Sequence, residues 1–124
     1  MTPRKWWRAA LLAFAAAATS AAFAQTYPGQ PIKMISPFPP GGSVDITARL
    51  IAEPMAQALG GKIYVEDVSG ASGNIGMEQA SRAKPDGYTI VLNTIPLVTN
   101  KSLFKDLSWD PIRDFAAVTH QHPG

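Results

Sequence analysis

Apolar and polar positions along the chain follow two rhythms that take turns between residues 32 and 93. Ile32 to Ser36 is a short apolar run framed by Pro31 and Pro37, the pattern of a buried strand. Pro37-Phe38-Pro39-Pro40-Gly41-Gly42 can be neither helix nor central strand, so a turn is predicted there. Ser43 then stands where a helix N-cap belongs, with Asp45 in the first turn to favour the helix dipole. From Ile46 the rhythm is helical: Ile51, Met55, Ala58 and Leu59 recur at helical spacing, and Gly60-Gly61 supplies the stop. Pro54 removes one backbone bond inside this helix and predicts a kink.

Ile63 to Asp67 is a second strand, with Tyr and Val suited to a pleated surface. A second small-residue loop follows, Ser69-Gly70-Ala71-Ser72-Gly73, and then a shorter helix from about Asn74 to Ala83. Pro85-Asp86-Gly87 marks a turn, and Tyr88 to Asn93 is the third apolar strand. The order β-α-β-α-β with short connections predicts an α/β fold with a parallel sheet and right-handed crossovers. Ligands on such sheets sit beyond the carboxyl ends of the strands, where both glycine loops fall.

The first residues change what the charge means. Arg4, Lys5 and Arg8 precede an apolar run from Ala9 to Ala18 and a small-residue Ala22-Phe23-Ala24 cleavage pattern, so residues 1–24 read as a secretory signal peptide. The apolar run is shorter than the roughly 20 residues a bilayer span requires. The formal charge of +2 includes three leader cations; without them eight Lys and Arg face nine Asp and Glu, a balance of −1. The mature chain therefore offers no basic surface for nucleic acid. Cysteine is absent, which excludes a disulfide scaffold and attachment of lipid through an N-terminal cysteine. About 100 residues remain after cleavage, enough for one small domain in a soluble, periplasmic protein.

Each loop presents backbone N–H groups that the following helix cannot satisfy, and glycine lets an anion approach them closely. Ser43, Ser69, Ser72 and Asn74 add neutral donors. One such loop is most simply a tight turn; two on one sheet edge suit an anion with two ends, such as a dicarboxylate. Nucleotide phosphate fits poorly: no Gly-Lys-Ser or Gly-Lys-Thr occurs, and Gly70, Gly73 and Gly76 only partly echo a dinucleotide fingerprint.

Pro37-Phe38-Pro39-Pro40-Gly41-Gly42-Ser43-Val44-Asp45-Ile46, with Tyr27-Pro28 and Pro31-Ile32 before it, resembles the opening of Bug-type receptors, the periplasmic binding subunits of tripartite tricarboxylate transporters. Ser69 to Gly76, Lys84-Pro85-Asp86-Gly87-Tyr88-Thr89, Trp109-Asp110-Pro111 and Asp114-Phe115-Ala116 resemble later segments of the same family in the same order, so the likeness covers residues 27 to 118. The resemblance implies a partial class II periplasmic-binding-protein domain over residues 25–118, a clamshell cleft and reversible capture of a small carboxylate. It implies no catalysis and no cofactor. It assigns ligand contacts to Pro40, Gly41, Gly42 and Ser43, and to Ala71, Ser72, Gly73 and Asn74, with Asn93 and Thr94 lining the same cleft. It implies delivery of the ligand to membrane transport subunits, with no membrane anchor after cleavage. Asp67 and Ser69 depart from the family's commoner Asn and Pro without removing a loop donor. Family members are much longer and cross into a second domain, so residues 119–124 read as an atypical tail of a truncated or frameshifted product. One wall of a cleft is then expected to bind only in the millimolar range, since a bond to a charged group nets about 1.5–3 kcal/mol when shielded and less when exposed, and two or three exposed ones fall short of the roughly 8 kcal/mol that micromolar binding requires. A ligand-presenting signalling partner of a sensor, and a non-functional remnant, are the alternatives.

Other groups have plainer readings. His120 and His122 form an H-x-H pair too poor in ligands for a metal site. Gly70-Ala71-Ser72-Gly73 falls short of a nucleophile elbow because Asn74 stands where glycine is needed. Glu66 and Asp67 read as a solvated strand end, Asp45 as a dipole partner, and Trp109 and Phe115 as packing residues. Asn100-Lys101-Ser102 matches a glycosylation sequon, a weak signal alone.

Overall fold

The computed structural model describes residues 26–119 of the 124-residue chain; the leader and the His120–His122 pair lie outside the described residues. The elements are β1 (Ile32–Ser36), α1 (Ser43–Leu59), β2 (Ile63–Asp67), a single 3-10 turn (Ala71–Gly73), α2 (Asn74–Ser81), β3 (Thr89–Val91) and α3 (Pro96–Leu103). The three strands form a parallel sheet in the order β2-β1-β3. Ile32 pairs with Ile63 and Ser36 with Asp67 on one side of β1, and Lys33 to Ile35 pair with Thr89 to Val91 on the other. The predicted α/β fold with a parallel β-α-β-α-β sheet is present.

Alternation along β1 sends its side chains to two layers. Met34 packs on Ala48 and Ala52 of α1, with Ile51, Met55, Ile63, Val65, Ile90 and Leu92 around them. Lys33 and Ile35 face the other way, toward α2, whose Gln79 bonds Glu66 of β2. Because β2 and β3 lie on opposite sides of β1, their connecting helices cover opposite faces, and the winding reverses at β1.

Several boundaries differ from the sequence reading. The buried stripe of α1 is Val44, Ala48, Ala52 and Ala56, while Ala58 and Leu59 are exposed and Ile51 and Met55 only half-buried. Small side chains set this face because they let the helix axis lie close to the sheet; the larger residues fill the flanks. Gly42 takes the N-cap position and Ser43 is already helical. Helix α1 runs as one element through Pro54, which sits on the exposed face, where water can take up the carbonyl it leaves unpaired. Strand β3 covers Thr89–Val91 rather than Tyr88 to Asn93, although bonds from Lys33 N–H to the Tyr88 carbonyl and from Leu92 N–H to the Ile35 carbonyl flank it. Helix α2 stops at Ser81, and α3, which hydrophobic periodicity did not reveal, begins with Pro96 in its first turn.

Candidate functional site

The loop after β1 and the loop after β2 meet because the strands that feed them are parallel neighbours. Their contact is close. A Cβ at Gly73 would stand 3.4 Å from the Phe38 ring and the Pro37 carbonyl, and one at Gly76 would stand 2.8 Å from Pro37 Cβ. Glycine at 76 is thus what lets the second loop seat against the first, whereas at 73, where a Cβ would meet only ordinary contacts, it is the left-handed φ of +87° that favours glycine. Residues Pro40 to Ser43, Ala71 to Asn74, and Asn93 and Thr94 all follow the carboxyl ends of the three strands and so share one sheet edge.

Within the first loop, two amides are already engaged. Gly41 N–H donates to Asp45 Oδ2 at 2.7 Å, and Gly42 N–H donates to the Pro39 carbonyl at 3.2 Å. The groups this loop can offer a ligand are therefore the first-turn amides of Ser43 and Val44, which have no helical carbonyl within reach. Pro40, Gly41 and Ser43 are exposed and Gly42 is half-buried. Asp45 is only 4 % exposed, so it is more than a first-turn dipole partner: its carboxylate holds the loop. The Gly41 amide, aided by Arg49, keeps the Asp45 carboxyl below the ordinary aspartate range.

Asp67, at the end of β2, and Asp45 share one cation. Arg49 lies with Nε 2.6 Å from Asp45 Oδ1 and donates from Nη2 to Asp67 Oδ2 at 2.7 Å. Glu66 points to the opposite face, where Gln79 donates to it at 3.1 Å and Lys33 pairs with it at 3.1 Å, lowering its pKa. The adjacent acids are thus not a solvated pair. Each is tied to a different helix layer. The hydroxyl of Ser36, opposite Asp67 in the ladder, is fully buried without a hydrogen-bond partner among the described residues.

The second loop has an unusual backbone. Ala71 (φ 48°), Ser72 (φ 56°) and Gly73 (φ 87°) are consecutive left-handed residues, a conformation that costs a non-glycine residue about 1–2 kcal/mol. Gly73 N–H bonds the Gly70 carbonyl and Asn74 N–H the Ala71 carbonyl, closing the turn. Ala71 and Ser72 remain exposed. Asn100 of α3, 3 % exposed, pins the turn: its Nδ2 donates to the Ser72 carbonyl at 3.0 Å and to Asn74 Oδ1 at 2.8 Å. The sequon asparagine is therefore a buried clamp. It also occupies the Asn74 side-chain oxygen.

Asn93 is largely self-satisfied. Its Oδ1 accepts from Thr94 N–H at 2.7 Å and its Nδ2 lies against the Met77 sulfur, while Thr94 is exposed at the approach to α3. Trp109 is buried and meets Phe115 edge-on with centroids 5.9 Å apart, the packing role expected of both. Among the described residues no group of three or more His, Cys, Asp or Glu could hold a metal.

Sequence reasoning overlooked Arg49 and Asn100. Asp45 and Arg49 are four apart on a helix, so their pairing could have been read from spacing. The contacts of Asn100, 26 and 28 residues away, had no local signal.

Known proteins share this fold and sequence. The profile of the tripartite tricarboxylate transporter family receptor matches residues 47–122. BugT of Bordetella pertussis is 39 % identical over 98 residues, which cover 77 % of this chain and 30 % of BugT. A solved periplasmic transporter superimposes with a TM-score of 0.73 at 48 % identity, over 75 % of this chain and 32 % of its own. MatC from Rhodopseudomonas palustris, solved with bound malate, superimposes with a TM-score of 0.69 at 33 % identity, over 72 % of this chain and 31 % of MatC. The chain thus spans about a third of the length of these relatives. The family is one of periplasmic binding receptors rather than enzymes. With its motifs in the family's order, a matching parallel sheet and a profile over most of its described length, the chain belongs to the tripartite tricarboxylate transporter receptor family.

Proposed function

We propose that this chain is exported to the periplasm and contributes one wall of a carboxylate-binding site, from which the ligand passes to the membrane subunits of a tripartite transporter. The observation that carries the reading is the packing of two strand-end loops against each other through Gly73 and Gly76. The start of α1 and the exposed left-handed turn at Ala71 and Ser72 both follow the carboxyl ends of the neighbouring parallel strands β1 and β2. Backbone donors from two helix starts favour an anion and have no intrinsic demand for a side-chain base or metal. The malate held by MatC supports a dicarboxylate as the ligand class. Pro40, Gly41 and Gly42 shape the first loop, Ser43 donates from its amide, and Ala71 to Asn74 face the same anion, with Asn93 and Thr94 at the margin.

The test is an amide NMR titration of the purified chain with malate at constant ionic strength. Saturable shifts at Ser43, Val44 and residues 71–76, with a dissociation constant in the millimolar range, are expected from a few partly exposed bonds. Unmoved signals at both loops, or shifts gathered at a different surface, would refute the reading.

A further inference from the structure

The side chain joining the two loops is Arg49, and nothing in the loops' own backbone explains its placement. It is half exposed, at 53 %, yet both carboxylates it touches are sheltered, Asp45 at 6 % and Asp67 at 14 % side-chain exposure. Asp45 belongs to the first turn of α1 and grips the Gly41 amide; Asp67 ends β2, where the chain enters the second loop. A single guanidinium fork therefore ties the end of the first loop to the start of the second, a geometry that lysine's point charge cannot reproduce. Its charge matters as much as its shape. Two sheltered carboxylates beneath an anion site would repel the ligand, and Arg49 cancels one of their two charges.

Resting on the binding reading above, we infer that Arg49 is a positioning residue for carboxylate capture: it fastens the Asp45–Gly41 contact to Asp67 and offsets the negative charge of Asp45 beneath the ligand. Because Arg49 is half exposed, its replacement by methionine leaves the buried face of α1 intact.

The experiment compares malate titrations and ligand-free amide exchange in the parent chain, Arg49→Met, Arg49→Lys and the double variant Asp45→Asn/Arg49→Met. Arg49→Met should weaken malate binding about tenfold, the size of one uncancelled charge at short range. It should also speed exchange of the Gly41 amide. Arg49→Lys should fall between parent and Arg49→Met. The double variant should recover most of the lost affinity, because an asparagine oxygen still accepts from Gly41 without carrying a charge. A purely structural role would not produce that rescue. Arg49→Met with parental affinity and parental Gly41 exchange overturns the inference, as does a double variant no tighter than the single one. If the parent chain does not bind malate, the binding reading fails by itself, and Gly41 exchange alone then decides whether Arg49 holds the loop.

Discussion

A Cβ at Gly76 would stand 2.7 Å from the Val68 carbonyl oxygen and 2.9 Å from Pro37 Cα, both backbone atoms that cannot swing aside. The glycine spacing at 70, 73 and 76 reads in the sequence as a faint phosphate fingerprint, and the structure gives Gly76 another reason, the close seating of α2 on the turn that follows β1. Gly41 differs: it has φ +80° but open space around its Cβ position. Gly76→Ala should therefore destabilise the chain by about 2–3 kcal/mol through overpacking. Gly41→Ala should cost only about 1 kcal/mol, the penalty of a left-handed alanine. Urea denaturation of the two variants measures the difference directly, and equal losses would contradict the packing account.

Elements show where periodicity succeeds and where it misleads. Helix α1 was legible from its apolar rhythm and its Gly60-Gly61 stop, and Gly60 does take the left-handed C-cap conformation. Which stripe of α1 is buried was not legible, because alanine carries too little hydrophobicity to outweigh Leu59 or Ile46 in a pattern yet fits best where helix meets sheet. Helix α3 was missed for a related reason: its Val98 and Leu103 stay exposed, so it lacks the apolar stripe that advertises a helix. Its buried residue is polar. Asn100→Ala would strip the Ser72 carbonyl and Asn74 Oδ1 of their shared donor, an expected loss of about 1–2 kcal/mol. A fall in melting temperature should accompany faster amide exchange at residues 72–74; exchange confined to α3 would place the effect elsewhere.

Over the whole molecule, carboxylates are held ionised by partners in several places. The Gly41 amide lowers Asp45, Gln79 and then Lys33 lower Glu66, Lys101 lowers Asp110, and Arg113 lowers Asp114. Each folded pKa lies below its ordinary value, 3.8 for aspartate and 4.5 for glutamate. A depressed carboxyl contributes stability that is full above the unfolded pKa and is lost as pH falls through the folded one. The melting temperature should thus stay level from neutral pH to about 5 and drop below about 4, a range set by the unfolded carboxyl groups. Protonation of Asp45 should also weaken, without abolishing, its hold on the Gly41 amide. A calorimetric series across that range checks the sign, and a melting temperature that rose on acidification would reverse it.

The sequence by itself determined the order of strands and helices from β1 to β3, the two glycine loops and the sheet edge that carries them, because periodicity and turn chemistry are local properties of the chain. Family resemblance rested on the same local motifs. Only the tertiary structure decided which loop amides are already spent, since Asp45 bonding Gly41 depends on how α1 leaves the loop. The same holds for the bridge from Arg49 to Asp67 and the clamp from Asn100 to Ser72, whose partners lie 18 and 28 residues away. Contacts of that range leave no period in the sequence. They arise when parallel strands bring distant loops to one edge, and packing there selects the side chain that can reach.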